Sequence, residues 1–401
     1  MKKKILIVTE CFYPEEFKVN DLAYAWRDKG YDVSVLTQVP SYPLGVIYEG
    51  YKNKLYSKSV ENGVTVYRVH ATTGYKSSLF KKLLKYFSFM FYGTLVSIFI
   101  GRKFDYVFGF NLSALTGMVP AVTVKKLYKK PLTLWAQDIW PDSVYAYGFK
   151  KTRLLSASLD WFVHKVYTNC DHIAVSGKGF INKLIPYCKK EQFFHYLPNW
   201  ADNLDDSLEA ISLGDSTKTN FTFAGNVGKV QNLDNIIDAF SSLPDSYKNR
   251  VQLNIIGDGS HLEALKNKLN LEAVCFHGRK PQKDMARYYK SSDFLIVSLV
   301  DKPIFKVTVP AKTQTYIAAK KPILAIIDGD AADIVSENNL GYCAHPSNII
   351  DIQKIMKQAI DSTVRERKQF IYNMQALLDG VFNKEKVIDK ITNIVTSDVR
   401  L

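Results

Sequence analysis

The chain has 401 residues, of which 47% are hydrophobic and 23% are charged, so it can bury a sizeable core and is not a disordered protein. Its length predicts two domains. The formal net charge of +14 lies wholly in residues 1–200, which hold 28 Lys and Arg against 14 Asp and Glu, whereas the second half holds 25 of each; the first half therefore faces an anionic partner, with nucleic acid, an anionic membrane and phosphorylated substrates as candidates.

Cysteine spacing and the apolar runs exclude further classes. The five cysteines are far apart and form no Cys-x-x-Cys pair, which indicates a reducing compartment and argues against a disulfide framework or a zinc cluster. The apolar stretch after Lys4 is too short for the apolar region of a signal peptide. The longest apolar run, residues 86–100, is shorter than the ~20 residues that a membrane-spanning helix needs, so we expect none.

Short β-branched runs alternate with helix-length amphipathic stretches in the first half, which is typical of βαβ units on a parallel sheet. The predicted strands are 4–8, 32–36, 64–69, 106–110, 132–135 and 172–175. The predicted helices are 20–29, 78–100, 114–128, 152–167 and 178–185. A turn-rich, charge-mixed stretch at about 200–220 is interpreted as the linker between two domains.

The same alternation begins again after the linker. The predicted strands are 221–224, 251–256, 273–277, 294–298 and 323–327. The predicted helices are 233–242, one that begins at 261, 283–290 and 311–319, and the chain is helical from about 349. Two series of similar size predict an α/β protein with two Rossmann-like domains that face each other across a cleft.

The loop after the first strand is a candidate binding segment, because ligands of open α/β sheets bind beyond the carboxyl ends of the strands. It contains Glu15 and Asn20. The alternative is an ordinary connecting loop in which Asn20 caps the following helix. A dinucleotide site is disfavoured here because no Gly-x-Gly-x-x-Gly follows the strand.

Short motifs follow several predicted strands or open predicted helices. They are Tyr13-Pro14-Glu15, Asn20-Asp21, Ser41-Tyr42-Pro43, Gly50-Tyr51, Gln137-Asp138-Ile139-Trp140-Pro141, Pro198-Asn199, Gly225-Asn226-Val227-Gly228, Gly257-Asp258-Gly259 and Pro310-Ala311-Lys312 with Tyr316. In this order they resemble the motifs of family 4 retaining glycosyltransferases, most closely the N-acetyl-fucosamine transferases of bacterial O-antigen and capsule assembly. The resemblance implies the GT-B fold, with an acceptor-binding domain at 1–200, a donor domain at 201–380 and a last helix, about 381–401, that returns to the first domain.

The resemblance also implies a nucleotide-sugar site in the second domain. Its expected residues are Gly225, Asn226, Gly228, Lys229, Arg279, Lys312 and Thr315. A diphosphate is bound by backbone amides and cations, so we assign it to the amides of 225–228 and to Lys312. The alternative for each lysine is a solvated surface charge. The family's two glutamates are replaced by Val307 and Thr315, which leaves no carboxylate assigned to the ribose.

Acceptor-side chemistry is expected in the first domain. Asp138 is the candidate catalytic group, either orienting the incoming hydroxyl or stabilising positive charge at the anomeric carbon, and Glu15 is the second candidate. Trp140 is expected to stack on a sugar, with a buried structural role as the alternative. Asn20 is the second residue assigned to the acceptor sugar. Asp328-Gly329-Asp330 is similar to a metal-binding Asp-x-Asp but is interpreted as a turn. The resemblance to transferases with two Rossmann-like domains implies that no metal is needed, and we expect no cofactor.

The predicted helix 78–100 is the candidate membrane element. Seven apolar side chains, Phe80 to Ile98, share one face, and three lysines lie opposite at its start. The residues assigned to the membrane are Lys81, Lys82, Lys85, Phe87 and Phe91. The alternative is a core helix with a solvated basic rim. Nucleic acid is not expected as a partner, because the sequence contains no recognised nucleic-acid-binding motif.

These expectations combine into one functional hypothesis with two rivals. The hypothesis is a retaining, metal-independent transferase that moves an N-acetylamino sugar from a UDP-sugar to a lipid-linked diphosphate saccharide, peripherally bound at the cytoplasmic face of the plasma membrane. The first rival is a UDP-sugar 2-epimerase of the same fold. The second is a degenerate, non-catalytic homologue that binds a membrane or a partner.

Overall fold

The chain forms two compact α/β units. The computed structural model describes residues 2–74, 79–146, 149–190, 192–205, 207–215, 217–267 and 273–397. Unit 1 comprises Met1–Leu197 and Ile388–Leu401, and unit 2 comprises Pro198–Val387. The chain returns to unit 1 at Ile388, a few residues later than the predicted return at about 381.

Unit 1 is built on a sheet that has eight strands within the described residues, in the order β3-β4-β2-β1-β5-β6-β7-β8. The strands are β1 (Lys4–Thr9), β2 (Asp32–Gln38), β3 (Tyr56–Glu61), β4 (Val64–Val69), β5 (Tyr106–Asn111), β6 (Leu132–Ala136), β7 (His172–Val175) and β8 (Phe193–Tyr196). Only β3, at one edge, runs antiparallel to its neighbour. The order reverses at β1, so the carboxyl ends of β1 and β5 flank the crevice where such sheets bind ligands.

Helices cover this sheet. They are α1 (Lys18–Asp28), α2 (Leu79–Ile100), α3 (Val119–Tyr128), α4 (Asp142–Ala146), α5 (Arg153–Tyr167) and α6 (Gly179–Leu184). The predicted helix 114–128 is wrong at its start: Leu115–Met118 forms a 3₁₀ turn, and α3 begins only at Val119. Pro120 explains the break, because proline fits the first turn of an α-helix but not its interior.

Unit 2 contains a parallel sheet with the described strands in the order β11-β10-β9-β12-β13-β14. These are β9 (Thr219–Ala224), β10 (Val251–Ile256), β11 (Val274–Gly278), β12 (Phe294–Ser298), β13 (Ile323–Ile326) and β14 (Gly341–Ala344). The helices are α7 (Leu233–Ser241), α8 (Asp245–Lys248), α9 (Leu262–Asn267), α10 (Met285–Ser291), α11 (Pro303–Lys306), α12 (Ala311–Ala318), α13 (Asp330–Glu337), α14 (Ile349–Asp361) and α15 (Val364–Asp379). The last helix, α16 (Lys384–Thr396), begins in unit 2 and belongs to unit 1 from Ile388 onwards. Here the order reverses at β9, which places β9 and β12 at the ligand-binding crevice of this sheet.

Buried faces explain why these segments fold as they do. β10 is buried at every residue, because helices cover both faces of the sheet. The amphipathic helix α7 buries Ile236, Ile237 and Phe240 against this sheet, and each such side chain contributes about 1.5–3 kcal/mol of hydrophobic free energy. In unit 1, the Trp26 indole N–H donates to Thr392 Oγ1 at 2.8 Å, which ties α16 to α1.

Helix α2 differs from the prediction in its length and in the side that it buries. It has 22 residues, and the stretch Phe80–Lys103 is long and apolar enough to cross a membrane by length and composition, contrary to the expectation drawn from the run 86–100. The predicted first residue, Ser78, lies outside the described residues. Lys85 is buried, whereas the predicted apolar face is largely exposed at Phe80, Leu84, Phe87, Phe91, Leu95 and Ile98. Expecting all three lysines on the solvent side was therefore wrong for Lys85, and a core helix with a buried apolar face is excluded.

Candidate functional site

Unit 2 contains a cavity of about 630 Å³ at the carboxyl ends of β9, β10 and β11. Five of the seven predicted donor residues line it together: Gly225, Asn226, Arg279, Lys312 and Thr315. The Gly257-Asp258-Gly259 turn after β10 forms another wall, as does Lys280 after β11. The cavity therefore collects loops from three neighbouring strands and the first turns of α12.

Two glycines allow the loops to approach closely. Gly225 and Gly257 have φ angles of +139° and +142°, which L side chains rarely adopt. A Cβ atom at Gly257 would lie 1.8 Å from the carbonyl oxygen of Gly225, and one at Gly225 would lie 2.6 Å from Lys312 Cε. Glycine is therefore required at both positions by backbone conformation and by space.

The loop amides are only partly available to a ligand. Gly225 N–H donates to the Ile256 carbonyl at 2.8 Å, and Val227 N–H donates to the Asp258 carbonyl at 2.9 Å. These bonds hold the two loops together, so assigning all the amides of 225–228 to a diphosphate was wrong for these two. Of the remaining two residues of this segment, Asn226 lines the cavity, so its amide is the candidate.

Lys312 is the most perturbed cation of the cavity. It is largely buried at the start of α12, and its ammonium lies 3.7 Å from the ring centroid of Phe223 and donates to Gln231 Oε1 at 2.9 Å. Burial lowers the pKa of Lys312 to about 7, because the charged form loses hydration that one amide oxygen does not replace. An anion in the cavity would stabilise the protonated form of Lys312, so binding of an anionic ligand is expected to be accompanied by protonation of this side chain.

The other predicted donor residues differ in whether they line the cavity and in how exposed they are. Arg279 is exposed at the cavity wall, and the Thr315 hydroxyl donates to the carbonyl of Ala311 at 3.1 Å. Lys229 is exposed in the 3₁₀ turn Lys229–Gln231, and neither it nor Gly228 lines the cavity. Sequence reasoning missed Gln282, Met285 and Tyr289, which also line the cavity. Met285 begins α10 and Tyr289 lies one helical turn further on, so their place at the start of the helix after β11 is the signal that they carry.

Carboxylates are scarce in this cavity. Among the described residues that line it, Asp258 is the one acidic side chain, and its Oδ1 accepts the Gly259 N–H at 2.7 Å. Val307, the first of the two positions where the resembled family has glutamate, does not line the cavity, and Thr315, the second, offers a hydroxyl. The cavity is therefore strongly basic, with Arg279, Lys280 and Lys312.

Asp138 lies in unit 1, in the loop after β6. Its Oδ1 accepts the Ile139 N–H at 2.9 Å. Burial raises the pKa of Asp138 to about 6, and the Ile139 amide, Ser143 and the Lys82 ammonium oppose this rise. A carboxyl with this pKa exchanges protons near neutral pH, which suits general-base chemistry.

Glu15 and Asn20 brace a loop. The buried Glu15 accepts the backbone N–H groups of Ser41 and Tyr42 at 2.8 and 2.6 Å. Asn20 donates to the Glu15 carbonyl at 2.7 Å and is the third residue of α1, which begins at Lys18, so its reading as the helix cap was wrong. Burial raises the pKa of Glu15. These contacts give both side chains a structural task at the carboxyl end of β1.

Sequence reasoning missed Glu10, which directly follows β1 at the sheet's point of reversal. It is fully buried, and its Oε2 accepts the Ser113 hydroxyl at 2.7 Å across the ends of β1 and β5. Burial raises the pKa of Glu10 in spite of the favourable charge of Lys85 and the bond from Ser113. The signal for it was a carboxylate immediately after a buried central strand.

Trp140 is half-buried beside α5. Its ring lies 6.3 Å from that of Phe162, edge to face. Both rings line a second, apolar cavity of about 410 Å³ in unit 1, which Asp138 also lines. Trp140 therefore borders open space next to the candidate catalytic carboxylate.

The acidic turn at 328–330 is engaged by a lysine. Lys306 Nζ lies 2.7 Å from Asp328 Oδ2 and 3.2 Å from Asp301 Oδ1. Asp301, Asp328 and His345 offer ligand atoms within 4.8 Å of one another, but the Lys306 ammonium already pairs with both carboxylates. The Asp328 Oδ1 accepts the Gly329 N–H at 2.8 Å, as in the predicted turn.

Comparison with known sequences supports the assignment of unit 2. Residues 206–376 match the family model "Glycosyl transferases group 1". The chain is 24% identical over 239 residues to "Probable glycosyltransferase WbjE" of Pseudomonas aeruginosa, covering 56% of this chain and 58% of that protein. It is 24% identical over 241 residues to "Putative colanic acid biosynthesis glycosyl transferase WcaI" of Escherichia coli K12, covering 54% and 56%. The matches thus span little more than half of each relative.

Comparison with solved structures shows the fold. Sucrose-phosphate synthase from Thermosynechococcus elongatus matches with a TM-score of 0.72 at 12% identity, over 98% of both chains. HepE from Anabaena, solved with UDP and glucose, matches with a TM-score of 0.66 at 14% identity, over 99% of this chain and 100% of that one. The predicted GT-B fold class is confirmed.

Proposed function

We propose that this protein is a retaining glycosyltransferase that moves a sugar from a UDP-sugar to a polyprenyl-diphosphate-linked saccharide in the assembly of bacterial surface polysaccharide. The observation that carries the proposal is the basic cavity of unit 2, in which Arg279, Lys280 and Lys312 converge on glycine loops at the ends of parallel strands. The family match of residues 206–376, the names of WbjE and WcaI, and the UDP held by HepE support it.

Departure of the nucleoside diphosphate is the step that this cavity assists. Charge builds up on the diphosphate as its bond to the sugar breaks, and preorganised cations stabilise that charge without reorganisation. Lys312 supplies a cation whose protonated state the diphosphate itself stabilises, and Arg279 and Lys280 supply two more. These three side chains provide positive charge of the kind that a metal ion supplies elsewhere, so the proposed reaction is metal-independent.

The acceptor side of the reaction is assigned to unit 1. A carboxylate with a pKa of about 6 is mostly ionised at neutral pH. Asp138 therefore accepts a hydrogen bond from the incoming hydroxyl and orients it, or stabilises positive charge at the anomeric carbon. Glu15, which is engaged with two backbone amides, serves the loop that it braces.

The proposed location is peripheral, on the cytoplasmic face of the plasma membrane. Helix α2 packs on α3, β2 and β4 of unit 1 while 28% of its most apolar stretch is buried, which suits a helix lying in the plane of the membrane surface. Residues 51–104 add ten Lys and Arg and one acid, Glu61. Basic residues around an exposed apolar face favour an anionic lipid surface.

The donor sugar is proposed from the resemblance to N-acetyl-fucosamine transferases, and the product is accordingly an O-antigen or capsule intermediate. An N-acetylamino UDP-sugar is the expected donor. A thermal-shift screen of UDP, GDP, UDP-glucose and UDP-N-acetylamino sugars tests this, since a ligand that binds only the folded state raises the melting temperature. We expect the largest shift with a UDP-N-acetylamino sugar.

Two outcomes would replace the proposal. Conversion of a free UDP-sugar to its 2-epimer without lipid would identify an epimerase, and binding of no nucleotide in calorimetry would identify the non-catalytic homologue. The absence of the family's glutamates at Val307 and Thr315 is the observation that favours the latter. An epimerase that acts on a free UDP-sugar does not need a membrane-binding helix, so the exposed apolar face and the lysines of α2 argue against this alternative.

A further inference from the structure

Unit 1 contains a cavity of a different character from the donor cavity. It lies between α2, α5 and the loop that carries Asp138, and its volume of about 410 Å³ falls within the ~300–1,000 Å³ of small-molecule sites. Its walls are mostly apolar and include Leu83, Met90, Val144, Leu159 and Phe162. Because protein interiors are close-packed, a space of this size is more than a packing defect.

The chemistry of the walls selects an apolar occupant. Apolar cavities hold water poorly, because a buried water needs two to four polar partners. An alkyl or isoprenoid chain would gain the hydrophobic free energy of burial, about 0.8 kcal/mol for each CH₂ group. The cavity therefore fits a chain and does not fit a sugar or a nucleotide.

The position of the cavity links it to the exposed face of α2. Phe87 lines the cavity and is also 52% exposed on the face assigned to the membrane. A chain that leaves the lipid layer beside α2 can therefore enter the cavity along an apolar surface.

Two charged side chains line the cavity, so part of its wall can interact with a polar or charged headgroup. Lys82, near the start of α2, contributes positive charge, and Asp138 contributes the candidate catalytic carboxylate. Both side chains line the cavity, and the Lys82 ammonium acts favourably on the Asp138 carboxylate. An anionic headgroup can therefore pair with the Lys82 ammonium, while the reacting hydroxyl of the acceptor approaches the Asp138 carboxylate.

We propose that this cavity binds the isoprenoid chain of the phosphate-bearing lipid acceptor, next to Asp138. The inference rests on the proposed function and deepens it by placing the lipid chain inside unit 1 rather than only in the membrane. The chain anchors the acceptor so that its headgroup lies at Lys82. Acceptors that lack the chain therefore bind weakly.

The test uses radiolabelled farnesyl phosphate, below its micelle concentration, in equilibrium dialysis with the whole protein. Leu159→Trp fills the cavity from α5, and Leu154→Trp is the matched control, because Leu154 lies on the same helix, is 80% exposed and does not line the cavity. We expect wild type and L154W to bind alike and L159W to bind about tenfold more weakly. Excess inorganic phosphate should compete poorly, since the chain supplies most of the free energy.

UDP affinity, measured in the same samples, separates the possible failures. An unchanged circular dichroism spectrum and melting temperature show that L159W is folded, because the proposed UDP site in unit 2 does not report on the folding of unit 1. Met90→Trp fills the same cavity from α2 if L159W is not folded. The inference is overturned if wild type does not bind farnesyl phosphate, or if wild type and a folded cavity-filling variant bind it equally well. The proposed function still stands in either case if wild type binds UDP. Loss of UDP binding in wild type overturns the proposed function instead.

Discussion

Lys312 lies directly against Gly225, so closely that a Cβ atom at residue 225 would come within 2.6 Å of Lys312 Cε and 2.8 Å of its Nζ. The first loop of the donor cavity and the first turn of α12 thus fit together only when residue 225 has no side chain. This contact fixes the position of the ammonium over the Phe223 ring, 3.7 Å from its centroid. The geometry of the proposed diphosphate site therefore depends on the absence of a side chain at residue 225.

Gly225→Ala should weaken UDP binding about tenfold, because the methyl group displaces the Lys312 ammonium by more than a hydrogen bond tolerates. Isothermal titration calorimetry measures the effect. Gly30→Ala is the matched control, since Gly30 also has a positive φ, of +91°, but would bring its Cβ within 4 Å of nothing. Equal affinity in the two variants would show that the Lys312–Gly225 contact does not matter for binding.

Lys312→Met should lower UDP affinity about 10- to 100-fold, the loss of one charge-assisted hydrogen bond of ~1.5–3 kcal/mol. Methionine keeps the apolar stem over Phe223, so the melting temperature of the unliganded protein should not fall. Lys229→Met is the control, because Lys229 is exposed and does not line the cavity. A variant that binds UDP like wild type would remove Lys312 from the site.

UDP affinity should fall as the pH rises from about 7.5 to 9. The pKa of Lys312 is about 7 in the unliganded protein, so the amine is mostly neutral in this range and must take up a proton when the diphosphate binds. The fall should approach about tenfold per pH unit, since the phosphate of UDP is already ionised. Calorimetry in buffers of different ionisation enthalpy should detect proton uptake in wild type and none in K312M; a flat pH profile in wild type contradicts the coupling.

Asp138→Asn should lower the turnover number about 100-fold or more and leave UDP affinity unchanged. The amide oxygen of asparagine can still accept the Ile139 N–H, so the loop should keep its structure. Wild-type turnover should rise with pH through about 6, because the ionised carboxylate is the active form. Asp142→Asn removes a nearby carboxylate that pairs with Lys183 at 3.3 Å and should change turnover little. Similar losses in both variants would argue against a specific role for Asp138.

Phe80→Ser combined with Phe91→Ser should abolish most binding to vesicles that contain anionic lipid. These side chains are 67% and 57% exposed, and each contributes about 1.5–3 kcal/mol if lipid buries it. Sedimentation with vesicles measures binding, and added salt should weaken it in wild type through screening of the basic residues. Val364→Ser with Tyr372→Ser, which are exposed on α15, is the matched control. Equal loss in both double variants would deny α2 a specific role.

The sequence predicted buried elements well and edge elements poorly. The bounds of β4, β7, β10 and β12 agree with the predictions, because each is a short run of mostly apolar or β-branched residues that the fold buries. β3 was missed, since its residues alternate between exposed and half-buried at a sheet edge and carry little apolar pattern. The helix α4 was also missed, because its five residues are too few to show a helical pattern.

The two cavities differ in how far sequence alone could define them. Motif residues after consecutive parallel strands must meet at one sheet edge, so Gly225, Arg279 and Lys312 could be placed together in advance. The apolar cavity of unit 1 is formed by side chains between Lys82 and Phe162 that only tertiary packing brings together. The burial of Lys85 was equally hidden, because helical periodicity does not show which face of α2 meets the sheet.

Release of UDP is the most direct test of the proposed reaction. The protein is incubated with a UDP-N-acetylamino sugar labelled in the sugar, with and without a bacterial lipid extract. We predict UDP release that requires the extract, together with transfer of the label into the organic phase. No release from any member of a broad UDP-sugar panel, with the extract present and the protein folded, would contradict the account.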